Sequence, residues 1–322
     1  MANFIRRFVV LFVVAFTVSG AYSAAEAAPL SADTRAKLES IRASIETWAP
    51  MVDGAIALNR TGYQGDIIEY AGYRCIGGDT ERCNDIRRGQ DADGRWWRAP
   101  KLIHQETGDS FSRDMFMGLM YYFTKTRDTV ALDRWLNYLK SHGNKMCDDA
   151  SDNRCTLMPS TWGLLGHTLQ YLGYKPTLKM KLGAQILPAE MLISAATAPK
   201  GFELVLLADN LFFLRSLGYN ATWMQKVAKI ALKRQPENPL FQYLVNGPTE
   251  QLGQLLLEAC PAEPSEKGDD VFWQRELARN DQGQLIIIRD DWGADNSRIP
   301  VRRMVNGHDC IIAMNFLLRA PF

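Results

Sequence analysis

The chain has 322 residues, of which 37 are Lys or Arg and 36 are Asp or Glu, so its formal net charge is close to zero. This balance argues against nucleic acid or an anionic membrane surface as the main partner. Because 47% of the residues are hydrophobic, the chain can bury a sizeable core, and no apolar run after residue 27 is long enough to span a bilayer.

The first 27 residues have the layout of a secretory signal peptide. Arg6 and Arg7 form a basic start, residues 8–18 are apolar, and Ala25-Glu26-Ala27 is a small-residue cleavage site. An uncleaved signal anchor is the alternative. The sequence therefore predicts a leader at 1–27, a single domain at 28–322, a secreted or periplasmic location, and no stable membrane insertion after the leader is removed.

Six cysteines in an exported chain predict a disulfide framework. Two pairs of cysteines have the same short spacing, and each pair lies in a polar, turn-rich segment, so we expect each to close its own loop. Zinc binding is the alternative, but neither segment contains His or a CxxC motif, and no metal site is predicted. The predicted bonds are Cys75–Cys83, Cys147–Cys155 and Cys260–Cys310.

The N-terminal third of the chain predicts one helix followed by a long loop. Apolar residues recur at helical spacing through 31–59, with Pro50 as a point where the helix bends. Residues 60–108 are rich in Gly, Asp and Arg, with β-like pieces at Ile67-Ile68 and Trp96-Trp97. About fifty residues is much longer than an ordinary connection, which favours a functional loop.

From residue 111 onward, strongly apolar helices alternate with amphipathic ones, so the predicted fold class is mainly α. A polar loop at 143–159 and a turn-rich region at 261–303, with a β-like run at 285–288, interrupt them. The predicted helices are 111–125, 129–142, 160–172, 178–197 (interrupted at Pro188), 201–217, 220–233, 239–245, 249–260 and 306–318.

This alternation is clearest in the segments SRDMFMGLMYYFTKTRDTVALDRWLNYL and STWGLLGHTLQYLGY and in the closing GHDCIIAMNFLL. Over roughly residues 110–320 the pattern resembles the (α/α) toroid enzymes, many of which are secreted glycoside hydrolases or polysaccharide lyases. The resemblance implies a complete or incomplete toroid of αα-hairpins with long disulfide-stapled loops and a few short β pieces. It also implies that the N-terminal ends of the inner helices line one rim, with candidates at Ser112, Arg113, Asp114, Thr161, Trp162, Glu203, His308 and Asp309.

Glycoside hydrolysis needs two carboxyl groups, one as acid and the other as base or nucleophile. Asp114 is the first candidate, since it falls in the first turn of a buried helix, whose positive end stabilises an ionised carboxylate. An Asp at this position is just as often present only because it stabilises the helix. The candidate partners are Glu106, Asp109 and Asp309, of which the two loop residues are more often simply solvated.

Aromatic and cationic residues near this helix predict a substrate-binding surface. Two adjacent tryptophans on a β-like piece point to opposite faces, so one is expected in the core and the other as a platform for a sugar ring. The predicted binding residues are Trp96, Trp97, Arg98, His104, Arg113, Trp162 and His308. A polysaccharide lyase would use a His or Tyr base and a cation near the substrate carboxylate, for which His104, Tyr63, Arg98 and Arg113 qualify.

No cofactor is predicted. The segment QDADG at 90–94 and the acidic group Asp148, Asp149 and Asp152 are interpreted as turns, with calcium as the alternative ligand. Asp209-Asn210 lies among apolar residues and is expected to be a buried, hydrogen-bonded structural pair.

The chain contains no GxSxG, HExxH or P-loop motif, and no GxGxxG at a strand-to-helix turn, so serine hydrolases, zinc proteases and nucleotide enzymes have no support. The predicted function is an exported glycoside hydrolase that acts on a polysaccharide or surface glycan with two carboxylates. The alternatives are a polysaccharide lyase on the same scaffold and a non-catalytic periplasmic protein that binds a glycan or another protein.

Overall fold

The computed structural model describes residues 28–62, 64–105, 111–147, 155–268, 272–289 and 295–319. Within these ranges the chain forms twelve α-helices, two small antiparallel sheets and three disulfides, which confirms a mainly helical fold. The helices are α1 (Ala32–Trp48), α2 (Ile67–Ile76), α3 (Thr80–Arg87), α4 (Arg113–Thr126), α5 (Thr129–Ser141), α6 (Pro159–Tyr171), α7 (Leu178–Thr197), α8 (Phe202–Ser216), α9 (Thr222–Arg234), α10 (Pro239–Asn246), α11 (Glu250–Ala259) and α12 (His308–Arg319). The strands are β1 (Met51–Val52), β2 (Ala55–Ile56), β3 (Glu276–Arg279), β4 (Leu285–Arg289) and β5 (Asp295–Pro300).

The first predicted helix is too long. Ser31 caps α1 by accepting a bond from the Thr34 amide, but the helix stops at Trp48, just before Pro50. Proline has no N–H and disfavours helical backbone in the residue before it. The chain then turns into the β1–β2 hairpin through Asp53 and Gly54, whose φ angles of 51° and 71° suit a tight two-residue turn.

The prediction of a fifty-residue loop at 60–108 is wrong, because α2 and α3 lie inside it. Ile67-Ile68 is the first turn of α2 and not a β-like piece. Every residue of α2 is buried, including Glu69 and Arg74. The helix is short, and the segments on either side of it are rich in Gly, Asp and Arg, so the region as a whole resembled a polar loop.

Six helices are buried over most of their length, and they alternate along the chain with helices that bury one side. The buried ones are α2, α4, α6, α8, α10 and α12. Aromatic rings fill the space among them: Phe212 stacks on Phe316 with 4.4 Å between centroids, and Tyr73 lies 5.3 Å from Tyr121. The first helix, α1, packs against both α11 and α12, so the two ends of the described chain meet.

Two short segments touch the starts of five buried helices. Arg98 bonds to residues immediately before α2 and α4. Around the Phe272–Gln274 turn, Gln274 contacts α2 and approaches Gly201 before α8, while Trp273 bonds to Asn238 before α10 and to Asp309 of α12. These two segments therefore connect residues at or near the starts of five of the buried helices.

Glycines allow two pairs of helices to touch backbone to backbone. A Cβ on Gly118 of α4 would lie 2.1 Å from the carbonyl oxygen of Ile68 in α2, and one on Gly183 of α7 would lie 2.3 Å from that of Pro159 in α6. Any larger residue would push these helices apart. The helix α7 is also continuous through Pro188, where the sequence predicts an interruption.

All three disulfides form as the spacing predicts. The Cys147–Cys155 bond closes a loop, at whose base the Met146 amide bonds to the Cys155 carbonyl at 2.7 Å. The first bond does not staple a loop: Cys75 lies in α2 and Cys83 in α3, so it ties two helices together. Cys260 and Cys310 join the end of α11 to the start of α12.

The region 261–303 contains a meander in which β4 pairs with both β3 and β5. This places a three-stranded sheet where the sequence predicts only one β-like run. Of the described helices, none is both long enough and apolar enough to cross a membrane.

Candidate active site at the helix N-termini

Arg98 joins the starts of α2 and α4. Its Nη1 donates to Asp66 Oδ1 at 2.7 Å and to the Gly65 carbonyl oxygen at 3.0 Å, and its Nη2 donates to Ser112 Oγ at 2.9 Å. Asp66 directly precedes α2, and Ser112 directly precedes α4. One guanidinium therefore holds two helix N-termini side by side, and Arg98 lies where the sequence analysis expects it.

Asp114 occupies the first turn of α4 and is 8% exposed. The side chain of the preceding Arg113 is exposed. Asp114 thus combines the positive end of a buried helix with narrow access to solvent. Its predicted partners Glu106 and Asp109 lie outside the described residues.

Two further carboxylates lie at the start of α2, and the sequence analysis missed both. Asp66 is the Arg98 partner, with 32% of its side chain exposed. Glu69 is 1% exposed, and its Oε1 accepts a bond from Gln274 Nε2 at 3.2 Å. The pattern Asp66-Ile-Ile-Glu69 has the spacing of a helix start, which was the available signal.

Glu69 faces the centre of the buried helices. Burial, and next the charge of Glu69, raise the pKa of Tyr121 well above its ordinary value. The Tyr121 hydroxyl donates to the main-chain oxygen of Asp209 at 2.7 Å. The Glu69 carboxylate therefore lies close to the aromatic core and is bonded to the Gln274 side chain.

A cavity of about 490 Å³ lies beside Trp97, the residue that directly precedes Arg98 in the chain. We name it the His104 cavity. It is lined by Asp91, Asp93, Arg95, Trp97, His104, Tyr138, Ser141 and His142.

Contacts on several sides fix the Trp97 ring in this cavity, so the ring does not present an open face on which a sugar could stack. Its Nε1 donates to Asp91 Oδ2 at 2.8 Å, and the Arg95 guanidinium lies 3.8 Å from the ring centroid. The His104 ring meets its edge at 5.6 Å. With one face covered and only 7% exposure, Trp97 can offer a ligand only a small part of its ring.

The other wall of the cavity is the end of α5. His142 stacks on Tyr138 with 4.0 Å between ring centroids, and its Nδ1 lies 2.9 Å from the Tyr138 carbonyl oxygen. His104 has a φ of 61°, in the left-handed region that non-glycine residues seldom adopt. The imidazoles of His104 and His142, the phenol of Tyr138 and the guanidinium of Arg95 thus line one cavity. Strained backbone such as that at His104 is concentrated at functional sites.

Other predicted binding residues are placed elsewhere. Trp96 is fully buried against Tyr122 and Phe123, so it is the core member of the pair. Trp162 is buried near the start of α6, with the Lys179 amine 4.2 Å from its ring centroid. Trp96 is thus the tryptophan expected in the core, and neither ring exposes a face on which a ligand could stack.

His308 is fully buried, but it lies at a second cavity, of about 430 Å³, away from Arg98. Arg74 Nη1 donates to its Nδ1 at 3.0 Å, so Nδ1 is the acceptor, and Nε2–H donates to the Pro50 carbonyl oxygen at 2.8 Å. Burial, and next the Arg74 charge, lower the pKa of His308 to about 3. His308 is therefore a neutral, fully bonded structural residue.

Asp309 is also fully buried, and its Oδ1 accepts bonds from the amides of Gly307 at 3.1 Å and Cys310 at 2.7 Å. These contacts hold the first turn of α12, as expected for a carboxylate at a helix N-terminus. The geometry favours a structural role over the predicted catalytic one.

The acidic segments show no cation-binding geometry in the described part of the chain. Asp91 accepts bonds from the Arg95 amide and from Trp97, which closes the turn, whereas Asp93 is exposed. Among the described residues, no three His, Cys, Asp or Glu side chains converge in a way that could hold a metal ion. Asp148, Asp149 and Asp152 lie outside the described residues.

Asp209 differs from the expected hydrogen-bonded pair. It is fully buried, and neither carboxylate oxygen has a hydrogen-bond partner among the described residues. Burial raises the pKa of this carboxyl well above its ordinary value. Asn210 bonds instead to the Leu206 carbonyl oxygen.

Comparisons with protein-family models, with characterised proteins and with solved structures find no match to this chain. The resemblance to the toroid enzymes therefore rests on the helix pattern alone.

Proposed function

We propose that the helices form an (α/α) toroid of six hairpins. Three observations support this arrangement: buried and half-buried helices alternate through the whole described chain, two short segments contact residues at or near the starts of five buried helices, and α1 packs against α11 and α12. The buried helices would form the inner ring and the others the outer ring. The three disulfides support an exported location.

We further propose that the protein is a glycoside hydrolase whose active site lies where the buried helices begin. The observation that carries this proposal is the Asp66–Arg98–Ser112 bridge, which brings two carboxylate-bearing helix starts together. In this proposal Asp114 and Asp66 flank the glycosidic bond, one as acid and the other as base or nucleophile. Arg98 orients the Asp66 carboxylate. Asp66, and not Asp309, is then the second carboxylate that acts together with Asp114.

The test is the variant Asp114→Asn, assayed for reducing ends released from a panel of oligosaccharides and polysaccharides. We expect activity to fall by at least about 100-fold, because an acid or base group is lost, while the thermal midpoint changes little. Asp281→Asn is the matched control, since Asp281 lies in an exposed turn. Equal activity in Asp114→Asn and the parent protein would rule out this assignment.

A polysaccharide lyase is the second candidate, and the His104 cavity favours it. His104, Tyr138 and His142 are potential bases, and Arg95 could face a uronate carboxylate. Lysis would release unsaturated products that absorb at roughly 235 nm, a property of their conjugated double bond. Loss of this absorbance in His142→Gln, together with full retention in Asp114→Asn, would decide for the lyase.

A further inference from the structure

The outer face of α7 carries a row of exposed apolar side chains. Leu178, Leu182, Ile186 and Ile193 are 73%, 50%, 49% and 63% exposed. Their spacing of four, four and seven residues places them on one side of the helix. We name this row the α7 stripe. The opposite side of α7, including Met180, Leu187 and Met191, is buried in the core.

Exposed lysines surround the stripe. Lys175, Lys179 and Lys181 lie at the start of α7, and Lys226, Lys229 and Lys233 lie on α9, which packs beside α7. Arg234 of α9 donates to the carbonyl oxygens of Ala195 and Ala198, which fixes the end of α9 against the end of α7. The two helices therefore present one surface with an apolar centre and basic flanks.

This basic character is concentrated in one part of a nearly neutral chain. Residues 172–235 contain nine Lys or Arg and three Asp or Glu, a net charge of +6, whereas the whole chain has +1. Of the three acids, Asp209 is fully buried and Glu190 is half-buried and bonded to Ser160. Little negative charge is therefore available on this surface to offset the lysines.

We propose that the surface formed by α7 and α9 docks on an anionic phospholipid bilayer. A helix with an exposed apolar stripe and flanking lysines binds in the plane of the interface: its apolar side chains enter the boundary between headgroups and acyl chains, and its lysines contact anionic headgroups. Tyr171 and Tyr219, both 37–38% exposed, have the amphipathic rings that favour this depth. The protein would lie on the bilayer surface without spanning it.

The charge distribution disfavours a second copy of the chain as the occupant. If two copies packed α7 against α7 around a two-fold axis, six lysines from each copy would be brought together, with Glu190 as the main opposing charge. An acidic polysaccharide would satisfy the lysines, but it would leave Leu178, Leu182 and Ile186 without an apolar partner. A bilayer provides both kinds of contact.

The test is sedimentation of the purified protein with vesicles of phosphatidylglycerol and phosphatidylcholine in equal parts, compared with vesicles of phosphatidylcholine alone. We expect at least ~10-fold stronger binding to the anionic vesicles, and weaker binding in about 0.5 M sodium chloride, which screens the lysines. Combining Leu178→Gln, Leu182→Gln and Ile186→Gln should weaken binding at least ~10-fold, and so should combining Lys226→Gln, Lys229→Gln and Lys233→Gln. These positions are exposed, so circular dichroism should show an unchanged fold.

Matched controls come from other outer surfaces. Val130→Gln changes an apolar residue that is 66% exposed on α5, and Lys125→Gln with Lys140→Gln removes exposed charge elsewhere; both should bind like the parent protein. Equal binding to both vesicle types, or full binding by the glutamine variants, would overturn the proposal. A concentration-dependent dimer abolished by the stripe substitutions, without vesicle binding, would instead identify an interface between copies. Binding to an acidic polysaccharide that is unaffected by those substitutions, again without vesicle binding, would also overturn it.

Discussion

The side of the molecule formed by α1 to α5 and α12 and the side formed by α6 to α9 use charge in opposite ways. On the first side, some basic groups are buried and bonded: Arg74 is 3% exposed and contacts Glu46, Asp79 and His308. On the second side, lysines lie on the surface, while the buried Asp209 has no partner for its carboxylate among the described residues.

This difference shows that the net charge of the whole chain does not describe the charge of its separate surfaces. Near neutrality arises because the net charge of +6 in residues 172–235 is offset by the rest of the chain, which has 28 Lys or Arg and 33 Asp or Glu. On the first side, the guanidinium groups of Arg74 and Arg98 fix the positions of neighbouring helices through bonds to acidic and polar partners. The surface formed by α7 and α9 carries exposed lysines, whose charge would attract an anionic partner over a long range.

The largest expected effect on stability is that of Arg74→Met. The substitution leaves Glu46, Asp79 and His308 without their shared donor, so we expect a loss of about 2–4 kcal/mol, reduced from the value for a fully buried network because Glu46 is 36% exposed. Lys229→Met on the other side should change stability by less than about 0.5 kcal/mol. Urea unfolding of both variants measures the contrast, and similar losses would show that the two sides do not differ.

The lowered pKa of His308 predicts that the folded protein loses stability in acid. The pKa of His308 is about 3 in the folded protein and ordinarily 6.5, so the unfolded chain binds more protons between these values. Its contribution is complete above pH 6.5 and decreases as the pH falls towards 3, by up to about 1.4 kcal/mol per pH unit. Unfolding free energies measured from pH 7 to pH 4 should depend less steeply on pH in His308→Gln. Parallel pH profiles would contradict this assignment.

The raised pKa of Asp209 predicts the opposite effect of pH on stability from that of His308. Because burial raises the pKa of Asp209, the folded protein keeps a proton that the unfolded chain releases above the ordinary value of 3.8. Stability is therefore lost as the pH rises from 3.8 towards the folded pKa. Asp209→Asn removes this ionisation, and we expect the variant to gain about 1–3 kcal/mol at pH 8 and less at pH 5.

Thermal unfolding at the two pH values checks the Asp209 prediction, with Asp281→Asn in an exposed turn as the control. If Asp209→Asn is less stable than the parent at both pH values, the carboxylate makes a stabilising contact that the described residues do not supply.

The candidate site could be predicted in part. Asp114 was recognisable because a polar loop runs directly into an apolar helix, and Arg98 was expected near the start of that helix. Asp66 and Glu69 were missed because α2 is only ten residues long and lies between segments rich in Gly, Asp and Arg, so the whole region was interpreted as a loop. Whether Asp114 and Arg98 act in catalysis remains a prediction.

The sequence by itself determined the helical class and most helix positions from residue 111 onward, because these follow from local spacing and capping residues. The equal short spacing of two cysteine pairs also pointed to the Cys75–Cys83 and Cys147–Cys155 bonds. Only the tertiary structure decided which charges are partnered. Arg74 meets His308 and Glu46 across long stretches of chain, Arg98 meets Ser112 only when α2 and α4 pack together, and the α7 stripe is exposed because no other described helix covers it. Burial and partnership depend on contacts between distant segments, which local sequence patterns do not record.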